Sequence, residues 1–265
     1  MTFTRFIVCG DSFSEGMSDE IVDGQYRGWA DRMADVMAHQ NPTFTYANFA
    51  IRGKLIHQVA SEQVPHALAY VTGPETLFSF HAGANDVLRP NYKPESALPL
   101  YAQTVRNIAA SGATVLLFTV LERTDRRGKT ADLWARRFSE FNKNVRAVAD
   151  EVGAIVADAN EEGLLSDRRF LADDRLHLNE IGHDRVAQGI LEKLGLPYAM
   201  NWREPLPQAL KLSQRNRYKS NLAWILTFFL PWIWRRLRGR SSGDGRSGKH
   251  KSPITWSKLD DSGGR

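Results

Sequence analysis

The sequence is short of the residues that staple, chelate or cradle. It has one cysteine, Cys9, among 265 residues, so no intramolecular disulfide can form and nothing in it needs an oxidising compartment. Cys9 lies in an apolar run and reads as a small buried strand residue. No His-Glu-x-x-His or paired-cysteine pattern occurs, which leaves a metal mechanism without support. Neither Gly-x-Gly-x-x-Gly nor a Gly-x-x-x-x-Gly-Lys-Ser/Thr loop is present, so a nucleotide cofactor lacks a cradle and neither cofactor nor metal is expected. The opening stretch MTFTRFIVCGDS has no basic segment followed by a long apolar run and a cleavage site, and a cytoplasmic protein is expected. There is no internal repeat, and no low-complexity segment before residue 239.

What is present is an ordinary globular composition, 42% hydrophobic, with charge divided unevenly along the chain. Residues 1–200 carry 21 Lys and Arg against 26 Asp and Glu, a net of −5. Residues 201–265 carry 14 against 4, a net of +10. The basic character thus belongs to the tail and says nothing about the ligand of the main domain.

Short apolar runs at 5–9, 44–50, 76–82, 113–120 and 154–158 read as strands. Segments of helical period lie between or after them, near 28–40, 55–70, 97–111, 131–152 and 180–194. Gly112, Gly153, and Gly195 with Pro197 stop three of these helices. Strands that are apolar without strict alternation are buried on both faces, which predicts an α/β domain of three layers, helices covering a five-stranded parallel sheet.

In such a sheet, ligands bind beyond the carboxyl ends of the strands. The first strand is followed by GDS (10–12), the second by NFAIRG (48–53), the third by GAND (83–86), and the fifth, after a longer connection, by DDRLHLNEIGH (173–183). Ser12, Gly53, Asn85, Asp174 and His177 are thereby brought to one rim. A serine hydroxyl is a weak nucleophile until an imidazole takes its proton, and the imidazole needs a carboxylate to hold its tautomer. An oxyanion needs donors already aimed at it. Gly53 can offer a bare backbone N–H, and Asn85 a side-chain amide.

These four blocks, in this order, resemble those of the SGNH hydrolases, also called the GDSL esterase/lipase family, over the first 200 residues. The resemblance implies Ser12 as nucleophile, His177 as general base and then acid, and Asp174 as its orienting carboxylate. It implies an oxyanion hole from the Ser12 and Gly53 backbone N–H groups and the Asn85 side chain, and a five-stranded parallel α/β/α sandwich of flavodoxin-like strand order. One departure is Phe13, where the family usually has leucine after GDS; a change in packing rather than in chemistry is expected there. Ser14 breaks the Gly-x-Ser-x-Gly pattern of a nucleophile elbow, which disfavours the α/β-hydrolase fold.

Each residue also has a structural reading. Ser12 could cap the following helix, Gly53 and Gly83 could be turn glycines, and Asn85 could make only local bonds. Asp11 and Asp86 are assigned structural roles, His183 is expected to open or brace the last helix, and His81 to be a buried packing residue.

Beyond Pro205 and Pro207 the composition changes. Residues 222–234 are uncharged and almost wholly apolar, but a helix of that length spans about 20 Å against a hydrocarbon core of roughly 30 Å, and Pro231 interrupts it. Trp224, Trp232 and Trp234, flanked by Lys219 and by Arg235, Arg236, Arg238 and Arg240, suit a segment lying at an anionic membrane surface. Peripheral contact of residues 219–240 with the inner face of the cell membrane is the favoured reading. Docking on the domain, as a last helix or a cover over an acyl pocket, comes next, and binding of nucleic acid or protein by the basic run comes last. The chain therefore divides into a hydrolase domain at 1–200, a linker and apolar segment at 201–238, and a flexible basic tail at 239–265.

The expectation is a serine hydrolase that cleaves carboxylic esters through an acyl-enzyme at Ser12, with a lysophospholipid, an acetylated sugar or a thioester as open substrates. The competing reading is a non-catalytic binding module of the same fold, recruited to membrane or partner by its tail.

Overall fold

Apolar runs make the strands, and polar strand ends make the turns between them. In the computed structural model, residues 2–122, 128–161, 165, 167–199, 202–208, 214–231, 234, 238 and 241–257 are described. The chain runs β1 (Arg5–Gly10), α1 (Ser12–Glu15), a small hairpin of β2 (Ile21–Val22) and β3 (Gln25–Tyr26), α2 (Gly28–Gln40) and β4 (Thr45–Asn48). Next come α3 (Ile56–Gln58), a π-turn at Val59–Gln63, α4 (Val64–Leu68), β5 (Thr76–His81), α5 (Ala84–Val87), α6 (Pro94–Ala110) and β6 (Thr114–Phe118). Then follow α7 (Lys129–Val152), β7 (Ile155–Ala157), α8 (Glu180–Lys193), α9 (Gln214–Trp224), a second π-turn at Ile225–Phe229, and β8 (His250–Thr255).

The main sheet has the order β7-β6-β5-β1-β4-β8. Its first five members are parallel and, numbered among themselves, follow the flavodoxin-like arrangement. Both faces of β1 are buried, as a continuous apolar run requires. Ile7 and Cys9 enter the core beneath α6 and α7, while Phe6 and Val8 enter the core beneath α2 and α8. Burial pushes the Cys9 thiol well up, away from thiolate chemistry.

The sheet departs from the expected five strands at β8, which pairs antiparallel with β4, Tyr46 opposite Ile254. The flexible basic tail read at 239–265 is corrected here: residues 241–257 are built into the domain. Trp256, 9% exposed, packs edge-on against Tyr46 at 4.9 Å, and its Nε1–H donates to Asp35 at 2.8 Å. Lys249 Nζ donates to Asp31 Oδ2 at 2.6 Å and to the Tyr26 and Arg27 carbonyls. A strand reading His-Lys-Ser-Pro-Ile-Thr has no apolar signal of its own and tolerates Pro253 because it lies at an edge. It forms because these long-range contacts hold it in place.

No helix among the described residues is long and apolar enough to cross a membrane. Of the tail residues singled out in the sequence, Trp232, Arg235, Arg236 and Arg240 lie outside the described set.

Candidate active site

The site begins at the tip of β1. The Gln63 side chain, 3% exposed, clasps the backbone of Gly10 in both directions: Gly10 N–H donates to Oε1 at 2.8 Å and Nε2 donates to Gly10 O at 2.9 Å. Asp11 then caps α1, its Oδ1 accepting from Phe13 N–H at 3.1 Å. Because Asp11 does the capping, the Ser12 hydroxyl is left free for another partner.

That partner is His177, whose Nε2 lies 2.9 Å from Ser12 Oγ, while its Nδ1 lies 2.5 Å from Asp174 Oδ2. An ionised carboxylate can only accept, so Nδ1 carries the proton, Nε2 is the basic nitrogen, and the serine hydroxyl donates to it. The second Asp174 oxygen accepts the Leu176 and His177 backbone N–H groups at 2.9 and 3.0 Å, and Arg175 turns the loop with φ +57°. Burial raises the Asp174 carboxyl, but hydrogen bonds from the His177 ring and these backbone groups outweigh it and hold the group below the usual aspartate range. Asn179 caps α8 directly after this loop, Oδ1 accepting from Gly182 N–H at 3.0 Å.

The loop after β4 is fixed from two sides. Asn48 Oδ1 accepts from Ala50 N–H at 3.0 Å while its Nδ2 donates to Ser14 O at 3.0 Å. The Glu15 carboxylate receives Arg52 N–H at 2.7 Å and forms an ion pair with the Arg52 guanidinium. Gly53 follows with φ +78°, and a Cβ there would fall 2.1 Å from Ser241 Oγ. The left-handed backbone demands glycine, and a Cβ would also force the Ser241 hydroxyl to turn away. Among the described residues, neither Ser12 N–H nor Gly53 N–H finds an acceptor.

After β5, Gly83 takes φ +118° against the ring of Phe141, where a Cβ would lie 2.4 Å from Cε2. Asn85 follows, with Nδ2 donating to Asp11 Oδ2 at 3.1 Å and to Lys54 O at 3.2 Å. Both amide hydrogens are thereby used, so donation to an oxyanion requires that one be shared; the neutral, longer Lys54 contact is the weaker of the two. Asp86 is structural, as read: its Oδ2 accepts from Ile56 N–H at 3.0 Å, and burial pushes its carboxyl up to about 6.

Ser12, Asp174 and His177 therefore meet in one hydrogen-bonded line, and Gly53 and Asn85 line the same cavity, whose volume is about 1020 Å³. Its apolar lining includes Phe118, Val120, Trp134 and Phe138. The expected wall loops contribute Leu88, Arg89, Pro90, Asn91 and Leu121, and residues 123–127 lie outside the described set. Phe13 packs on Trp29, His81 and Phe118 with ring centroids 4.7–5.4 Å apart. His183 braces α8 against the first helices, accepting from Trp29 N–H at 3.3 Å and facing Met17 O at 3.2 Å.

Sequence reasoning missed several contributors. His81 is buried as read, but its Nδ1 also lies 3.2 Å from Asp11 Oδ1, so it helps hold the carboxylate that meets Asn85. Gln63, the Glu15–Arg52 pair and Ser241 bear on the site through contacts far apart in the chain, and no local pattern marks them. Residues 219–240, expected first at a membrane surface and next as a cover over an acyl pocket, include part of α9 and the π-turn after it, and these lie against the catalytic loop. Trp224 Nε1–H donates to Asp174 O at 2.8 Å, and Trp224, Thr227, Phe228 and Phe229 line the cavity.

A search of curated proteins returns no match. Among solved structures the chain is similar to TesA, at 20% identity and TM-score 0.58, covering 72% of this chain and 97% of that one. It is similar to Axe2, an acetylxylan esterase from Geobacillus stearothermophilus, at 17% identity and TM-score 0.60, covering 77% and 99%. It is also similar to the psychrotrophic esterase EstA from Pseudoalteromonas sp., at 15% identity and TM-score 0.56, covering 72% and 97%. These likenesses show a shared fold. Residues 8–185, which include every block of the site, match the GDSL-like lipase/acylhydrolase family, and the chain belongs to this family of hydrolases.

Proposed function

We propose that this chain hydrolyses carboxylic esters through an acyl-enzyme formed on Ser12. The observation that carries the reading is His177 placed between Asp174 and Ser12, 2.5 Å from one and 2.9 Å from the other. As Ser12 Oγ attacks the ester carbonyl, its proton passes to His177 Nε2, and Asp174 steadies the imidazolium that results. The carbonyl oxygen, now negative, is met by the Ser12 and Gly53 backbone N–H groups and by the Asn85 amide. Collapse of this intermediate breaks the ester C–O bond, and His177 returns its proton to the departing alcohol oxygen. Water then attacks the acyl-enzyme by the same route reversed, releasing the acid and restoring Ser12. The apolar lining of the cavity favours an acyl group longer than acetyl.

A fluorophosphonate probe tests this reading. Covalent labelling of the wild type that disappears in Ser12→Ala is expected. A folded wild type that takes no label overturns the reading in favour of a binding module.

A further inference from the structure

The helix that covers the site has a second face. Beginning in α9, passing the π-turn after it and continuing beyond, Tyr218, Leu222, Leu226, Leu230 and Trp234 recur at every fourth residue of the sequence, with exposures of 72%, 46%, 56%, 49% and 56%. In an unbroken α-helix of 3.6 residues per turn, a four-residue repeat drifts around the axis. The π-turn at Ile225–Phe229 winds more widely and counters that drift, and Leu226, Leu230 and Trp234 line one shallow surface hollow. The opposite side belongs to the enzyme: Trp224, Thr227 and Phe229 face the cavity. Arg175 in the catalytic loop donates to Asn221 Oδ1 at 2.8 Å and Ser220 Oγ at 3.0 Å, and its guanidinium stacks 5.2 Å over Trp224.

The charges around the stripe indicate what covers it. Residues 214–240 contain seven Lys and Arg and no Asp or Glu, all of the cations lying before residue 220 or after 234. Arg215 and Lys219 at one end and Arg238 at the other are exposed. An apolar stripe with cations at both ends, an aromatic ring at each end and no carboxylate matches a surface with negative headgroups over hydrocarbon. An acidic protein would meet the cations but would also need an apolar groove running between two acidic ends, whereas a lipid surface supplies both layers at once. No described helix is long and apolar enough to cross a membrane.

We propose that α9 together with the π-turn that continues it forms an interfacial docking segment. It seats on an anionic phospholipid surface through the Tyr218–Trp234 stripe while its inner face roofs the catalytic cavity, so the mouth of the cavity is presented to esters carried in that surface. Docking stands on its own observations; only the substrate clause rests on the hydrolase reading.

The test is flotation of the full chain, carrying Ser12→Ala to prevent turnover, with vesicles of phosphatidylcholine alone or mixed with phosphatidylglycerol. Flotation with the mixed vesicles only, weakened by salt, is expected. Leu222→Asp and Leu226→Asp, which do not line the cavity, should each lower the partition coefficient by about tenfold. On the Ser12 background these two variants should hydrolyse a water-soluble short-chain ester at the wild-type rate, and an ester embedded in mixed vesicles more slowly, in step with lost binding. Equal partitioning of variants and parent overturns the docking proposal, as does failure of the parent to float. Self-association through the stripe, seen as a concentration-dependent dimer by sedimentation that Leu226→Asp abolishes with no lipid binding, overturns it in favour of a second copy. Intact flotation without any ester hydrolysis by the wild type would instead overturn the hydrolase reading and leave docking standing.

Discussion

Replacing Lys249 by methionine probes the last strand where its anchorage is strongest. The Lys249 ammonium directs three donors inward, to Asp31 Oδ2 at 2.6 Å and to the Tyr26 and Arg27 carbonyls at 2.9 Å each. The two side chains of the ion pair are only 6% and 8% exposed. Burial already raises the Asp31 carboxyl against the pull of Lys249, and the Tyr46 hydroxyl, 2.6 Å away, holds its other oxygen. Methionine keeps most of the stem but leaves a buried carboxylate without its cation, and losing one partner of such a pair costs about 3–5 kcal/mol. The sign with pH follows from Asp31. Its folded-state pKa rises further in the variant, so the folded state holds a proton that the unfolded chain releases. The deficit should therefore be smallest in acid and deepen only as pH rises past the wild type's own Asp31 value, which burial already holds above the unfolded 3.8 and which the variant's exceeds. Urea unfolding at mildly acidic and mildly alkaline pH measures it, and Lys249→Met with Asp31→Asn should regain most of the loss. A Lys249→Met protein within about 0.5 kcal/mol of wild type, the range of an ordinary surface change, would refute the pairing of residues 241–257 with the domain.

Two further outcomes are expected. Asn85→Ala should lower kcat by about 10²- to 10³-fold with little change in KM, as the loss of one oxyanion donor does; steady-state kinetics on a soluble ester decides, and an unchanged kcat removes Asn85 from the hole. His183 is held neutral by burial, its pKa pushed down to about 4 from 6.5. The unfolded chain takes up a proton first as pH falls, so stability present above 6.5 is lost down to about 4, a total of about 3 kcal/mol. Thermal melting against pH should show that loss reduced in His183→Gln, with a residue from His250, which burial and Lys249 depress in the same direction.

The five parallel strands were legible because each is an apolar run, and the site was legible because its residues follow directly on strand ends, where topology alone brings them to one rim. Ser12, Gly53, Asn85, Asp174 and His177 are read from four short blocks in this way. What escaped has no local signature. β8 carries Lys251, Ser252 and Pro253 and is a strand only because β4 offers an open edge and Trp256 a buried anchor. The clasp of Gly10 by Gln63 spans 53 positions, and the contact of Lys249 with Asp31 spans 218. Such pairs are decided by packing, which no periodicity records. The tail helix illustrates the same limit: its composition suits a lipid surface, while its contact with Asp174 and Arg175 depends on where the fold delivers it.

Ser241 beside Gly53 makes the catalytic pocket the joint product of two distant stretches of chain. The wall beside the glycine donor is supplied some 190 residues beyond that glycine in the chain. The chain can lay down its five parallel strands with the edge of β4 open and the glycine turn bare. The finished pocket exists only once residues 241–256 have folded back along β4, so full competence waits on the closing of that edge and not only on the stacking of the parallel strands.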